Sequence, residues 1–128
     1  MMNDSDEIKM LACSIKPANF KRLEKLLNEN QIRFSLEQST HMNLKYAVAA
    51  GKPDLIITDQ LFWIHVQALP VIKELREVNN TPLVIWTNEA TDKMMAAVFN
   101  MHHICFIKQS ENEFLLIDAI SKMLNPIV

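Results

Sequence analysis

The sequence predicts a doubly wound α/β domain, a five-stranded parallel sheet with helices on both faces. Three observations carry this. Five short apolar runs alternate with longer segments of helical period. Several of those runs are apolar on both faces, as strands buried between two helical layers are. No linker, repeat or low-complexity tract interrupts the 128 residues, about one domain's worth, so 1–128 reads as a single domain.

The elements follow in order along the chain. Residues 8–15 read as the first strand. Pro17 then stands where a first helical turn tolerates proline, and Phe20, Leu23, Leu26 and Leu27 make one apolar face of a helix running through Asn28. Residues 32–36 alternate as a second strand. Residues 42–50 form a short helix that Gly51 stops, with Pro53 just beyond. Leu55-Ile56-Ile57-Thr58 is the third strand and ends at Asp59. After a loop through Phe62 and Trp63, a helix from about Pro70 turns Ile72 and Leu75 inward. Leu83-Val84-Ile85-Trp86 is the fourth strand, ends at Thr87, and leads to a helix over 91–101. Ile104-Cys105-Phe106-Ile107 is the fifth and ends at Lys108. The last helix opens on a capping box, Ser110-Glu111-Asn112-Glu113, and carries Phe114, Ile117, Ile120 and Leu124 as its apolar face.

Composition narrows the chemistry. Thirteen Lys and Arg against 15 Asp and Glu give a net charge of −2, too little positive charge to track a phosphate backbone, so nucleic acid is not an expected direct partner. The longest stretch without a formal charge, 94–107, is too short to span a bilayer and contains Asn100, His102 and His103. Residues 1–7 are acidic and polar where a secretory signal needs a basic start and an apolar run, so a cytoplasmic location is expected.

The one glycine, Gly51, excludes phosphate-cradling, dinucleotide-binding and nucleophile-elbow loops, each of which needs at least two. Asparagine, the next residue to tolerate the left-handed region, occurs eleven times, and is expected to make the turns, as at Asn79-Asn80 and Asn125. Cys13 and Cys105 lie far apart in mostly apolar runs and read as buried free thiols. The four histidines lack zinc-ligand spacing, and His102-His103 reads as a polar turn from helix to strand.

In a doubly wound sheet a site belongs at the carboxyl ends of the strands. Those ends carry Cys13-Ser14, Asp59, Thr87 and Lys108. A carboxylate, a hydroxyl and an ammonium thus converge on one rim. With Pro53-Asp54-Leu55-Ile56-Ile57-Thr58-Asp59, Pro82-Leu83-Val84-Ile85-Trp86-Thr87 and Phe106-Ile107-Lys108, the chain from about Ile8 to Leu124 resembles a bacterial response-regulator receiver domain, a flavodoxin-like fold. The resemblance implies a phosphoryl acceptor at Asp59, a phosphoryl-binding hydroxyl at Thr87 and a salt bridge from Lys108 to the acidic group. It also implies a histidine kinase or phosphotransfer protein as partner. The face built from the 91–101 helix, the fifth strand and the last helix would change its affinity for a protein partner or a second copy. Phosphoryl transfer to a carboxylate needs an in-line nucleophile and cations on the equatorial oxygens, and Lys108 would supply one.

The sequence departs from the family pattern at several places. Receivers place two acidic residues after the first strand, which with the acceptor aspartate hold Mg²⁺. Here those positions are Cys13 and Ser14, or Ser14 and Ile15 if aligned by Pro17, leaving Asp59 as the one carboxylate ligand. A unit charge pair at 4 Å is worth about 4 kcal/mol at an effective dielectric near 20, so Mg²⁺ binding is expected to be weaker by roughly a hundredfold or more. Asp4, Asp6, Glu7 or Glu89 would have to fold inward to compensate. Gln109 follows Lys108 where the family usually has proline. The switching aromatic position is Cys105, with Phe106 one place later. The loop from Gln60 to His65 is apolar, either packed over the sheet edge or offering Phe62-Trp63 to a partner. Met94, Met95 and Met101 read as core filling or as an adaptable partner surface.

Two functions remain open from sequence. One is a phosphoacceptor switch of a two-component phosphorelay working through Asp59. The other is a degenerate receiver, a protein-interaction or dimerisation module in which Asp59 and Lys108 form a fixed pair. An enzyme using Asp59 or Cys13 as nucleophile is disfavoured, because no base partner is identifiable.

Overall fold

A computed structural model describes residues 7–40, 43–59, 80–88, 103–110 and 113–124. Eight elements are formed there: β1 (Ile8–Cys13), α1 (Pro17–Glu29), β2 (Phe34–Ser39), α2 (Leu44–Gly51), β3 (Leu55–Thr58), β4 (Leu83–Trp86), β5 (Ile104–Ile107) and α3 (Glu113–Leu124). The expected helices from about Pro70 and over 91–101 lie outside the described residues. So do Asp4, Asp6, Glu89, the Phe62-Trp63 loop and the Met94, Met95 and Met101 cluster.

The five strands form one parallel sheet in the order β2-β1-β3-β4-β5. The order reverses direction at β1, the hallmark of a doubly wound sheet, and puts the carboxyl ends of β1, β3 and β4 side by side. Every residue of β3 and β4 is buried, which is why both strands read as largely apolar runs. The edge strands β2 and β5 carry no fully buried residue. One core cluster joins Met10, Ala12, Leu55, Ile57, Val84 and Trp86 of the sheet to Leu23, Leu26 and Leu27 of α1 and to Leu116, Ile117 and Ile120 of α3. These alternate strand positions are one face of the sheet, and α1 and α3 cover it.

Several boundaries differ from the sequence reading, each for a local reason. β1 ends at Cys13 because Ser14 turns to φ 51. β2 begins at Phe34 because Gln31 adopts φ 56 and the Ile32 N–H returns to the Leu27 carbonyl, 3.0 Å away, which uses those residues to close α1. Gly51 is the last residue of α2 and not its stop. The left-handed position falls on Lys52 at φ 46, whose N–H donates to the Val48 carbonyl. Asparagine does not make the left-handed turns among the described residues, where they fall on Ser14, Gln31, Lys52 and His103. Asn30 instead caps α1 through its side chain, which donates to the Leu26 carbonyl at 2.8 Å. His103 is the exposed turn residue before β5.

The last helix departs in two ways. The buried stripe of α3 is Leu116, Ile117 and Ile120, and Phe114 is 64% exposed. At 100° per residue, Phe114 lies about a third of a turn from the centre of that stripe. The Ser110 N–H donates to Asn88 Oδ1 and the Glu113 carboxylate pairs with Arg22, so these two groups are engaged elsewhere than in the reciprocal bond of a capping box. No helix among the described residues is long and apolar enough to cross a membrane.

Candidate functional site at the carboxyl rim of the sheet

Asp59 follows β3 and is 5% exposed. A carboxylate at that depth needs donors, because burying it unpaired is costly. They come from the start of α1. The Lys16 N–H lies 3.3 and 3.1 Å from the two carboxylate oxygens, and Asn19 Nδ2 donates to Oδ2. Local sequence explains the arrangement. Lys16 is the N-cap of α1 and its side chain makes no cap hydrogen bond; Pro17 contributes no N–H. The helix therefore starts with free donors and no acceptor of its own, and Asp59 supplies the missing anion from another strand. The positive end of the α1 dipole favours the same charge.

Thr87 follows β4, is buried at 4% exposure, and its N–H donates to the Ile107 carbonyl at 2.9 Å. Because Thr58 pairs with Ile85 and Trp86 with Ile107, Asp59 comes level with Trp86, and Thr87 with Lys108. The sheet thus brings Asp59 and Thr87 to adjacent strand ends. It does not bring Lys108 onto Asp59: Lys108 is exposed, and no ion pair joins the two. The fixed Asp59–Lys108 pair expected from sequence is replaced by Lys16 and Asn19.

The residues after β1 contribute no carboxylate. Cys13 is fully buried and free, and burial pushes its thiol up to about 12 against a smaller opposing effect of its hydrogen bond with Ser14. It is protonated and enclosed at neutral pH, so it has neither the charge nor the access of a nucleophile. Cys105 is half-buried where both cysteines were expected to be buried; its thiol is also raised by burial.

The described rim does not fit Mg²⁺. That ion takes oxygen ligands in octahedral array, several of them carboxylate or water. Here the atoms facing Asp59 are N–H donors from Lys16 and Asn19 at the positive end of a helix. Among the described residues no group of three or more His, Cys, Asp or Glu is placed to hold a metal ion.

A second set of contacts, invisible in the sequence, lies beside the first. Arg22, one turn after Asn19 on α1, stacks its guanidinium 5.0 Å from the centroid of the buried Trp86 ring. The same guanidinium pairs with Glu113 of α3 at 2.9 Å and reaches the Gln109 carbonyl at 3.4 Å. Gln109, standing where the family usually has proline, donates from Nε2 to the Trp86 carbonyl at 2.8 Å. Lys16 had a readable signal, a free N–H ahead of Pro17 at the rim that holds Asp59. Gln109 stood out as a departure from the family pattern and Glu113 as part of a capping box, but nothing in the sequence joins them or Arg22 to partners so far along the chain.

No protein-family model matches the chain, and no curated protein matches it in sequence. Solved structures do match in shape. A two-component response regulator from Clostridium difficile is 20% identical, with a TM-score of 0.73 over 94% of this chain and 98% of that one. A response regulator from Thermotoga maritima is 13% identical, with a TM-score of 0.75 over 92% and 98%. A putative pilus assembly-related protein from Burkholderia pseudomallei K96243 is also 13% identical, with a TM-score of 0.75 over 97% and 94%. At these identities the likeness is one of fold, and it agrees with the β2-β1-β3-β4-β5 order: the chain has the fold of response-regulator receiver domains.

Proposed function

We propose that the protein is a signal-transduction module of the receiver type that acts by protein association, without metal-assisted phosphorylation. The observation that carries this reading is the engagement of both Asp59 carboxylate oxygens by the start of α1. A phosphoryl acceptor needs a carboxylate oxygen free to attack in line and cations to neutralise the equatorial oxygens. Both Asp59 oxygens accept from Lys16 or Asn19, donors that lower a carboxylate's nucleophilicity, and the exposed Lys108 is not paired with it. The charge that receivers commit to chemistry is here committed to holding a helix. Partners of the family's kind, a histidine kinase or phosphotransfer protein, would then be recognised by surface contact.

A second reading keeps phosphorylation at Asp59, and one observation favours it. Asp59 and Thr87 stand at adjacent strand ends, where a phosphoryl acceptor and a phosphoryl-binding hydroxyl would be needed. Titration with beryllofluoride in the presence and absence of Mg²⁺ separates the two. An association module shows no Mg²⁺-dependent saturable binding. Such binding, lost in Asp59→Asn, establishes the phosphoacceptor instead.

A further inference from the structure

Two residues three apart on α1 hold partners from four other segments at this rim. Asn19 holds Asp59 at the end of β3. Arg22 holds Trp86 of β4, the Gln109 carbonyl after β5 and Glu113 in the first turn of α3. Residues at this spacing lie above one another on a helix, about 5–6 Å apart at Cβ, so a shift of the first turn of α1 moves both. A helix is stiff over that distance, whereas the contacts at its two ends are hydrogen bonds and an ion pair that can open separately.

We infer that α1 is a lever: the Asp59 carboxylate fixes its first turn, and Arg22 transmits that position to the start of α3. Trp86 is what makes the transmission specific. Its ring is buried and its carbonyl is held by Gln109, so it gives the guanidinium a fixed plate to stack on. Displacing the first turn pulls the guanidinium off that plate and away from Glu113 together. The turn that Glu113 begins also carries the exposed Phe114 and Leu115, so the surface offered by α3 follows the clasp. Any event that takes the Asp59 carboxylate from Lys16 and Asn19 would be felt at α3. The lever stands whether or not Asp59 accepts a phosphoryl group.

Hydrogen exchange followed by mass spectrometry on the unmodified protein tests it. The variants are Asp59→Asn, Asn19→Ala, Arg22→Gln and the combination of Asp59→Asn with Arg22→Gln. Backbone amides of residues 113–117 should exchange about threefold faster or more in each single variant, with the core amides of residues 10–12 unchanged. The combined variant should add less than about twofold to Arg22→Gln alone, because the relay is already cut. Unchanged exchange over 113–117 in both Asp59→Asn and Asn19→Ala would overturn the inference, as would accelerations that multiply independently in the combined variant. If Asp59→Asn also loosens 10–12, Asn19→Ala, which leaves the carboxylate and the Lys16 bond in place, decides between these outcomes.

Discussion

The Asp59 carboxylate lies on the backbone N–H of Lys16, with its two oxygens 3.3 and 3.1 Å from that nitrogen. A strand end thereby caps a helix that has no cap of its own, and β3 is tied to α1 across 43 residues of sequence. Asp59→Ala takes the acceptor from the Lys16 N–H and the Asn19 amide at a partly buried site and should cost about 1–2 kcal/mol in urea unfolding. Asp59→Asn keeps an acceptor and should cost less. A loss below about 0.5 kcal/mol for Asp59→Ala would show that the cap contributes little.

Arg22 should matter more than its exposure suggests. Its ion pair with Glu113 is only partly buried, with side chains 34% and 48% exposed, and such a pair alone is worth under about 1 kcal/mol. Stacking on buried Trp86 adds to it. Arg22→Gln should therefore destabilise by about 1–2 kcal/mol. Lys25→Gln, which breaks a 3.8 Å pair with Glu29 on the same helix, should cost about 0.3 kcal/mol. Equal costs would remove the special role of the Trp86 plate.

Lys52 occupies a left-handed helix end at φ 46, ψ 58. Glycine reaches that conformation without the Cβ penalty, so Lys52→Gly should stabilise the fold by about 0.5–1 kcal/mol in thermal or urea unfolding. A destabilised variant would mean that the exposed lysine contributes through contacts of its stem.

Cys13 gives a pH dependence with a definite sign. Burial raises its folded value to about 12 from the ordinary 9.0. The unfolded chain therefore loses the thiol proton first as pH rises. The contribution is fully present below about pH 9 and is lost between that value and about 12. Stability should fall across that window with a component of up to about 1.4 kcal/mol per pH unit, and Cys13→Ala should remove that component. The same steepness in Cys13→Ala would assign it to other groups.

The sequence disclosed the parts of the fold that depend on burial alone. The runs Leu55-Ile56-Ile57-Thr58 and Leu83-Val84-Ile85-Trp86 are strands because both of their faces are covered, and that shows in composition. Asp59 and Thr87 were readable as rim residues for the same reason, standing where each apolar run stops. What escaped was set by geometry between distant segments. Nothing near Arg22 in sequence announces Trp86 or Glu113. Phe114 has the spacing of an apolar face yet lies off the stripe that packing selects. Gly51 invited the role of a helix stop because it is the one glycine, but the helix runs one residue further and Lys52 takes the strained position.

The central claim is that Asp59 serves as a helix anchor and not as a metal-assisted phosphoryl acceptor. Intact-mass spectrometry after incubation with a small phosphodonor, with and without Mg²⁺, on the native chain and on Asp59→Asn, tests it most directly. The expected result is a folded protein with no adduct that depends on both Asp59 and Mg²⁺. A phosphoryl adduct that appears with Mg²⁺ and vanishes in Asp59→Asn would contradict it.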